Sequence, residues 1–403
     1  MSNTLVTCSI IAKEALPILE NMLSFSQNVN RDFESEFSGN LSRGYAPGAT
    51  INIKKPPRYS YRAGRQAVPQ ATVETTVPLT LSQGGCDLNF SSLERTLSLT
   101  KLEDKLMAAM APVANEIDRQ GLQLAHFNTF NTLNTTGALP STQALSLAAV
   151  TNANQRLDEM SAPRDKRRAF IMNPSLNASM IQGFAGLFNS GNTISKQFQS
   201  GMMVDSLGIG YGMDQNVDVH TNGAATATNV NGAGQTGSAI TVVAIAGGTL
   251  TRGTTITLPG VFAVNPQSRN STGVLANFVV TADALVGATT INVSPALVTS
   301  GAFQNVTASP TTGAPYVIFG AASTNYSTNV AYHKDAFTLA MVPMWAPPGG
   351  KGVIDVAQET HNGFTIKVTE FYDGIQDNSI IRLDVLFGWA APYPELSVKY
   401  LTA

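Results

Sequence analysis

The feature that most constrains this chain is a stretch of 110 residues with almost no charge. Residues 221–330 carry three charged side chains, Arg252, Arg269 and Asp283, and are otherwise rich in Thr, Ala, Gly, Asn and Val. Short apolar and β-branched runs alternate there with Gly, Pro and Asn, which is typical of short strands joined by turns. The pattern predicts a small all-β barrel or sandwich, inserted between two parts of different composition.

The whole chain is also poor in charge. Of its 403 residues only 13% are Asp, Glu, Lys or Arg, and the formal net charge is −2. A soluble chain typically has about a quarter of its residues charged, so this surface is expected to contact other protein chains. The near-neutral balance excludes a strong overall attraction to nucleic acid and leaves weak contacts possible. Two cysteines, Cys8 and Cys86, are too few for a disulfide framework or a cysteine-based zinc site.

A long helix is predicted before the insertion. The sequence from Thr100 to Glu103 matches a capping box, in which the two side chains satisfy backbone N–H groups at a helix start. Apolar residues then follow at helical spacing to about Phe127. Because Pro112 removes a backbone donor inside this stretch, we expect a kink or a restart of the helix there.

The other segments on both sides of the insertion mix helical and strand patterns, so the chain belongs to the α+β class. Helices are predicted at 142–159 and 175–188, with a strand near 169–172 between them. After residue 330 alternating apolar residues predict two strands, around 364–368 and 381–387. The C-terminal part is therefore expected to return to the sheet that the chain leaves at residue 221.

The N-terminal third predicts an arm and a projection. Apolar residues at helical spacing over 9–26 predict a short amphipathic helix, interrupted at Pro17. Over 50–90 two alternating segments flank a polar, irregular stretch, and Pro78 confines the second segment to an edge strand. This part is expected to form a long two-stranded projection.

The predicted projection carries the one local excess of charge. No acidic residue lies between Phe37 and Val73, while Tyr59 and Tyr61 stand among five basic residues: Lys54, Lys55, Arg58, Arg62 and Arg65. Three interpretations remain open: a contact with carboxylates of another copy of the chain, a nucleic-acid backbone strip with stacking aromatics, and an ordinary solvated face. The sequence favours the contact with another copy, through carboxylates such as Asp32, Glu34 and Glu36.

Signals for catalysis are weak, and we predict no catalytic residue, cofactor or metal site. The glycine-rich stretches at 208–212 and 347–352 do not match phosphate-binding loops. Asp214, Asp218 and His220 could supply metal ligands from one region, although two solvated carboxylates and a surface histidine are the favoured interpretation. The chain is therefore not expected to be an enzyme.

Two other classes of protein stay open as alternatives. A surface-layer or adhesin-like β protein would share the Thr-, Asn- and Gly-rich composition, but we expect no export signal, since the apolar run 4–12 is followed by Lys13 and Glu14 rather than by a cleavage site. That run is also too short to span a membrane. A β-rich metal-dependent hydrolase would require a metal at Asp214, Asp218 and His220.

Several short segments, in order along about three quarters of the chain, resemble the major capsid proteins of tailed bacteriophages, specifically the podovirus-type coat group with an inserted β-barrel domain. The segments are Ile10-Ile11-Ala12-Lys13-Glu14-Ala15-Leu16, Val29-Asn30-Arg31-Asp32-Phe33, Ile53-Lys54-Lys55-Pro56-Pro57-Arg58-Tyr59, Leu97-Ser98-Leu99, Glu116-Ile117-Asp118, His333-Lys334-Asp335-Ala336-Phe337, Arg382-Leu383-Asp384-Val385-Leu386-Phe387-Gly388 and Pro394-Glu395-Leu396.

The resemblance implies the major capsid fold of tailed phages and herpesviruses. It divides the chain into an N-terminal arm over 1–40, an extended loop with peripheral strands over 41–99, a spine helix over 100–140, the first part of an axial domain over 141–221, an inserted β-barrel domain over 222–328, and axial and peripheral return strands over 329–403. With three charges, the inserted domain is expected to use hydrogen bonds and apolar contacts where charged versions would use salt bridges.

The function implied is that of a major capsid protein, which self-assembles as hexamers and pentamers into an icosahedral head around double-stranded DNA. A scaffolding protein, a portal, a possible decoration protein and weak non-specific contact with the packaged DNA are the implied partners, without a membrane. The implied location is the virion capsid, assembled in the host cytoplasm. The predicted subunit-interface residues are Lys54, Lys55, Arg58, Arg62, Arg65, Arg31, Asp32, Glu34 and Glu36.

Overall fold

A computed structural model describes most of the chain, in residues 8–34, 37, 49–59, 61, 64–67, 69–72, 74–91, 102–184, 205–346, 353–361 and 364–403. Arg62, Glu36 and the Leu97-Ser98-Leu99 segment lie outside these residues. The chain divides into two compact units. The first contains Met1–Ile53, Val77–Gly121 and Thr338–Ala390, and the second Lys54–Thr76, Leu122–Phe337 and Ala391–Ala403.

The helices in the described ranges are Cys8–Met22 (α1), Leu102–Asn128 (α2), Gln143–Glu159 (α3) and Pro174–Phe184 (α4). None of them is long and apolar enough to cross a membrane. The Thr142 hydroxyl caps α3 by accepting a hydrogen bond from the Leu145 N–H. The predicted spine helix is α2, and it continues through Pro112 without the restart that was one of the two expectations there. The buried neighbours Met110 and Val113 anchor this turn, which offsets the missing backbone donor.

The strands in the same ranges are Thr50–Lys55 (β1), Thr75–Thr80 (β2), Ser82–Ser91 (β3), Thr132–Leu133 (β4), Arg168–Met172 (β5), Gly210–Met213 (β6), Val219–Thr221 (β7), Gly237–Thr241 (β8), Thr255–Val264 (β9), Ser271–Val280 (β10), Thr290–Leu297 (β11), Val317–Ile318 (β12), Asn325–His333 (β13), Thr338–Met341 (β14), Asp355–His361 (β15), Phe364–Asp373 (β16), Asn378–Ala390 (β17) and Ser397–Thr402 (β18). They confirm the α+β class.

The first unit is built on an antiparallel sheet with the order β14-β17-β16-β15, in which β3 also pairs with β17. The alternating residues of β16 and β17 form the predicted hairpin, with Asp373 opposite Asn378. Helix α1 packs against β15 and β16, and its Cys8 N–H donates to Asp355 Oδ2 at 2.8 Å. The predicted arm helix therefore buries its apolar face on its own chain. Strands β1 and β2 form a two-stranded sheet, as the alternation around Pro78 predicts.

One buried carboxylate holds the chain that follows α1. Asp118 on α2 is 1% exposed and accepts hydrogen bonds from the backbone N–H groups of Ser24, Phe25 and Ser26, at 2.7, 3.1 and 3.0 Å. The Ser26 hydroxyl donates to the same carboxylate. Hydrogen bonds to a charged group are stronger than neutral ones, so Asp118 fixes a segment that has little regular structure of its own.

The second unit contains a mixed sheet with the order β4-β18-β13-β5-β6, with β7 paired to β13. Helices α3 and α4 cover it through a buried apolar cluster that includes Val150, Phe170, Leu176 and Met180. Strand β13, which follows the insertion, pairs with β5 and β7, which precede it. This confirms the predicted return of the chain to the sheet that it leaves at residue 221.

The uncharged insertion forms a closed barrel. Five antiparallel strands have the order β12-β9-β10-β11-β8. The segment 226–230 joins the two ends of this row, because Val230 forms a bridge with Val242 beyond β8, and Asn229 forms one with Pro315 before β12. The barrel is filled by apolar side chains that include Ile256, Phe278, Ile291 and Tyr316. The two bridges leave less open sheet edge in a domain that has few charges to block edge pairing.

We predict that Asp118→Ala lowers the free energy of unfolding by about 2–4 kcal/mol, because three backbone donors, two of them in buried hydrogen bonds, and the hydroxyls of Ser24 and Ser26 lose a charged acceptor. Urea unfolding of the soluble subunit measures this. The matched control is Glu116→Ala on the same helix, where an exposed carboxylate pairs with Arg119 and its loss should cost less than about 1 kcal/mol. Equal effects of the two substitutions would contradict the role of Asp118.

Candidate assembly surfaces and the base of the inserted barrel

The predicted basic strip begins at the end of β1 and is partly paired within its own chain. Lys54 Nζ lies 3.3 Å from Glu74 Oε2, with both side chains more than half exposed. Arg58 Nη2 lies 2.9 Å from Glu395 Oε1, and its guanidinium lies 5.9 Å from the ring centre of Phe303. The sequence predicts carboxylates of another copy as partners of this strip. Within the chain itself, Lys54 pairs with Glu74 and Arg58 pairs with Glu395.

Lys55 has a different environment from its neighbour Lys54. Its ammonium group lies 5.6 Å from the ring centre of Tyr393. Burial lowers the pKa of Lys55, and Arg58 adds to this effect while Glu395 opposes it. Lys55 is therefore a half-buried cation next to one positive group, Arg58, and one negative group, Glu395.

The tip of the extended loop remains exposed. The Tyr61 side chain is 95% exposed and Tyr59 is 54% exposed, although the Tyr59 hydroxyl contacts Thr72 Oγ1 at 3.0 Å. Arg65 is exposed as well. A tyrosine that is almost fully exposed beside an arginine has the composition of an interface anchor.

The predicted acidic partners lie after α1. Arg31 Nε is 3.4 Å from Glu34 Oε1, and the Arg31 guanidinium lies over the Phe364 ring at 3.6 Å. Glu34 Oε1 also accepts a hydrogen bond from the Met341 N–H at 3.2 Å, and burial raises the pKa of Glu34. Asp32 is exposed. Arg31 and Glu34 therefore have partners in their own chain, and Asp32 presents its side chain to the surface.

The alternative metal site is not assembled. His220 Nε2 lies 3.0 Å from Thr254 Oγ1, and Asp214 Oδ1 accepts a hydrogen bond from the Asn216 N–H. Within the described ranges, no three His, Cys, Asp or Glu side chains are grouped as metal ligands. The hypothesis of a metal-dependent hydrolase at Asp214, Asp218 and His220 therefore has no geometric support.

A buried ammonium lies beneath the inserted barrel. Lys399 on β18 is 1% exposed, and its Nζ donates to the carbonyl oxygens of His126 in the last turn of α2, at 3.3 Å, and of Gly253, at 3.2 Å. The rings of His126 and His220 lie 4.9 Å apart. The sequence did not indicate this group. All six residues of β18 are buried, so this strand has no alternation of buried and exposed residues that would have shown the environment of Lys399.

Burial disfavours the charged form of each of these groups. It lowers the pKa of Lys399 to about 7, with partial opposition from Asp218. Burial, with a contribution from Lys399, lowers the pKa of His220 to about 4. The pKa of His126 is well below its ordinary value for the same reasons. Both histidines are therefore neutral at pH 7.

Two of the three charged residues of the insertion contact other segments of the chain, and the third, Asp283, contacts one of these two. The Arg252 guanidinium lies 4.2 Å from the ring centre of Phe127 in α2, and Asp283 accepts the Arg252 backbone N–H at 2.6 Å. Arg269 Nη2 donates to the backbone oxygen of Tyr59 in the extended loop at 3.0 Å. Two of the few charges of the barrel thus contact the spine helix and the loop.

A barrel inserted into a mixed sheet, a long helix that ends beneath it and an extended two-stranded loop define a capsid-type protein. A structure from Mycobacterium phage Che8 shares this fold, with a TM-score of 0.50 and 14% identity over 94% of this chain and 90% of that one. Lower similarity is found to the capsid of cyanophage P-SCSP1u (TM-score 0.42, 9% identity, 89% and 85% covered) and to a virus-like particle from Pyrococcus furiosus (TM-score 0.43, 8% identity, 98% and 97% covered).

The family described as P22 coat protein, gene protein 5, matches residues 87–400. The chain belongs to this family, and it is a phage major capsid protein. No curated protein sequence matches it. The resemblance found in the sequence is thereby confirmed, both for the family and for the capsid fold.

The buried histidines predict acid sensitivity. In the unfolded chain a histidine has a pKa near 6.5, so between pH 6.5 and about 4 the unfolded state binds more protons than the folded state, and the free energy of unfolding falls as the pH falls. From the pKa of about 4, His220 alone should account for about 3 kcal/mol of this loss. Urea unfolding of the subunit from pH 7 to 4.5 measures it.

His220→Gln should remove that part of the acid-induced loss, since glutamine does not titrate and can still hydrogen-bond to Thr254. His361→Gln supplies the control variant, because it removes one exposed histidine elsewhere on the protein. An acid-induced loss of the same size in the His220 variant and in the unmodified protein would show that His220 does not cause it.

Proposed function

We propose that many copies of this chain form an icosahedral head of hexamers and pentamers around double-stranded DNA. Its role in the virion is structural, and we assign it no enzymatic activity. A shell of one chain type requires the same surface to meet different neighbours, through heterologous contacts. The near-neutral net charge suits this task, because hundreds of copies can pack with little electrostatic repulsion.

The observation that carries the proposal is the exposed tip of the extended loop. Tyr61 projects with 95% of its side chain exposed, and Arg65 stands exposed near it. A large aromatic side chain gains free energy when a partner covers it, and an arginine beside it can pair with a carboxylate. We therefore assign the tip to a neighbouring copy, where carboxylates such as Asp32 would face the basic strip.

The other partners follow from the same role. A scaffolding protein would direct closure in the host cytoplasm, a portal would occupy one vertex, and the shell would expand as DNA enters. A decoration protein could bind outside, and contacts with the packaged DNA would be weak and non-specific. The division of the chain into arm, extended loop, spine, axial, inserted and return segments is part of this proposal.

Sedimentation velocity combined with electron microscopy, with and without a co-expressed scaffolding protein, tests the assembly. We expect closed shells, or rings of five and six subunits, and more complete closure with the scaffold. A compact monomer under every condition would contradict the shell proposal.

The loop tip has a separate test. Arg58 pairs with Glu395 in its own chain, so its substitution would also disturb the subunit. The test variant is therefore Arg62→Glu with Arg65→Glu, which leaves that pair in place. We expect this double variant to stay folded by circular dichroism and to yield at least about tenfold fewer shells, since like charges would face each other at the contact.

The matched control is Lys166→Glu on the exposed turn before β5, compared with Arg65→Glu alone, because Arg167 in that turn pairs with Asp165. It should form shells normally by negative-stain microscopy. Normal shells from the loop variant, or an equal loss in the control, would contradict a specific role for the tip.

A further inference from the structure

A cavity of about 380 Å³ lies in the second unit, bounded by the base of the extended loop, by strands β9, β10 and β11, and by the segment before β18. Its volume is within the range of pockets that hold small organic ligands, roughly 300–1,000 Å³. Much of its wall is apolar and aromatic, formed by Phe130, Met160, Val264, Phe278, Phe303 and Val306. Such a wall accepts a hydrocarbon tail.

Three asparagines that line the cavity have hydrogen-bond partners within the chain. Asn131 Nδ2 donates to the Ser397 carbonyl at 3.2 Å, and Asn277 Nδ2 donates to the Thr132 carbonyl at 3.1 Å. Asn305 binds the backbone on both sides of its amide, through the Val298 N–H and the Ala296 carbonyl. A ligand therefore needs no polar group along its tail.

The mouth of the cavity carries an excess of positive charge. Lys55, Arg58 and Glu395 line it, and Arg58 and Glu395 pair with each other. No carboxylate within the described ranges lies at ion-pair distance from Lys55 Nζ. An adjoining cavity of about 330 Å³ is lined by Arg58, Arg269 and Glu395, which again leaves one net positive charge. The mouth matches an anion and disfavours a cation.

We propose that this cavity binds an amphipathic carboxylate, with its head at Lys55 Nζ and its alkyl chain among the aromatic side chains. The half-buried ammonium then gains a charge-assisted hydrogen bond, and the tail leaves water for an apolar wall. The inference is independent of shell assembly, because all the lining residues belong to one chain, so its failure would leave the proposed function intact.

The test is isothermal titration calorimetry, in which unassembled subunits are titrated with decanoate below its micelle concentration. Decanol and decylammonium are the matched probes. We expect saturable binding of one decanoate per subunit, at least about tenfold weaker binding of decanol, because it lacks the charged head, and no binding of decylammonium. Intermolecular NMR contacts from the decanoate methylenes to the rings of Phe130 and Phe303 should place the tail in the unmodified protein.

Two variants and one control separate the head from the tail. Lys55→Met should weaken decanoate binding to the level of decanol, whereas Lys54→Met, at the neighbouring exposed lysine, should leave it unchanged. Ala276→Leu fills the cavity and should weaken both probes. The absence of saturable binding, equal affinity for decanoate and decanol, or NMR contacts elsewhere on the protein would each overturn the assignment, and the NMR result holds even if a variant does not fold.

Discussion

The arrangement of the second unit depends on two hydrogen bonds that the buried ammonium group of Lys399 donates. A helix ends with carbonyl groups that lack intrahelical partners, and Lys399 supplies a donor to the last turn of α2 and, with the same nitrogen, to Gly253 at the entrance to the barrel. The approach is close, because Gly253 has φ +92° and an added Cβ would lie 2.5 Å from His126 Nε2. Spine helix, barrel and C-terminal strand thus meet at one buried nitrogen.

This contact also explains how a barrel with three charges is held in place. Its interior is apolar and the segment 226–230 joins the two ends of its row of strands, so the barrel does not depend on ion pairs within itself. Two of the three charges lie where the barrel meets other segments. Arg252 contacts Phe127 at the end of α2, and Arg269 contacts the backbone of the extended loop. A barrel surface without further charges can approach other copies without desolvating ions, which would cost several kcal/mol per buried ion.

Local patterns were enough to predict much of the fold. The apolar spacing located α2, and alternation located the strands β16 and β17, whereas Thr100 of the predicted capping box lies outside the described residues. The barrel-closing segment 226–230 was missed because its pairing with residues 242 and 315 leaves no local pattern. The Arg58–Glu395 pair spans 337 positions, and neither sequence spacing nor charge pattern shows which distant carboxylate a loop arginine will meet.

These non-local contacts hold one part of the extended loop within the subunit and leave another part exposed. Its base is held by the Arg58–Glu395 pair and by Arg269 on the Tyr59 carbonyl, so those charges are already used within the subunit. Its tip keeps Tyr61 and Arg65 exposed. A loop with a fixed base and an exposed tip loses less conformational freedom when it binds than a loop free along its whole length. The sequence did not predict these intrachain pairs, because each of them joins residues that lie more than 200 positions apart in the chain.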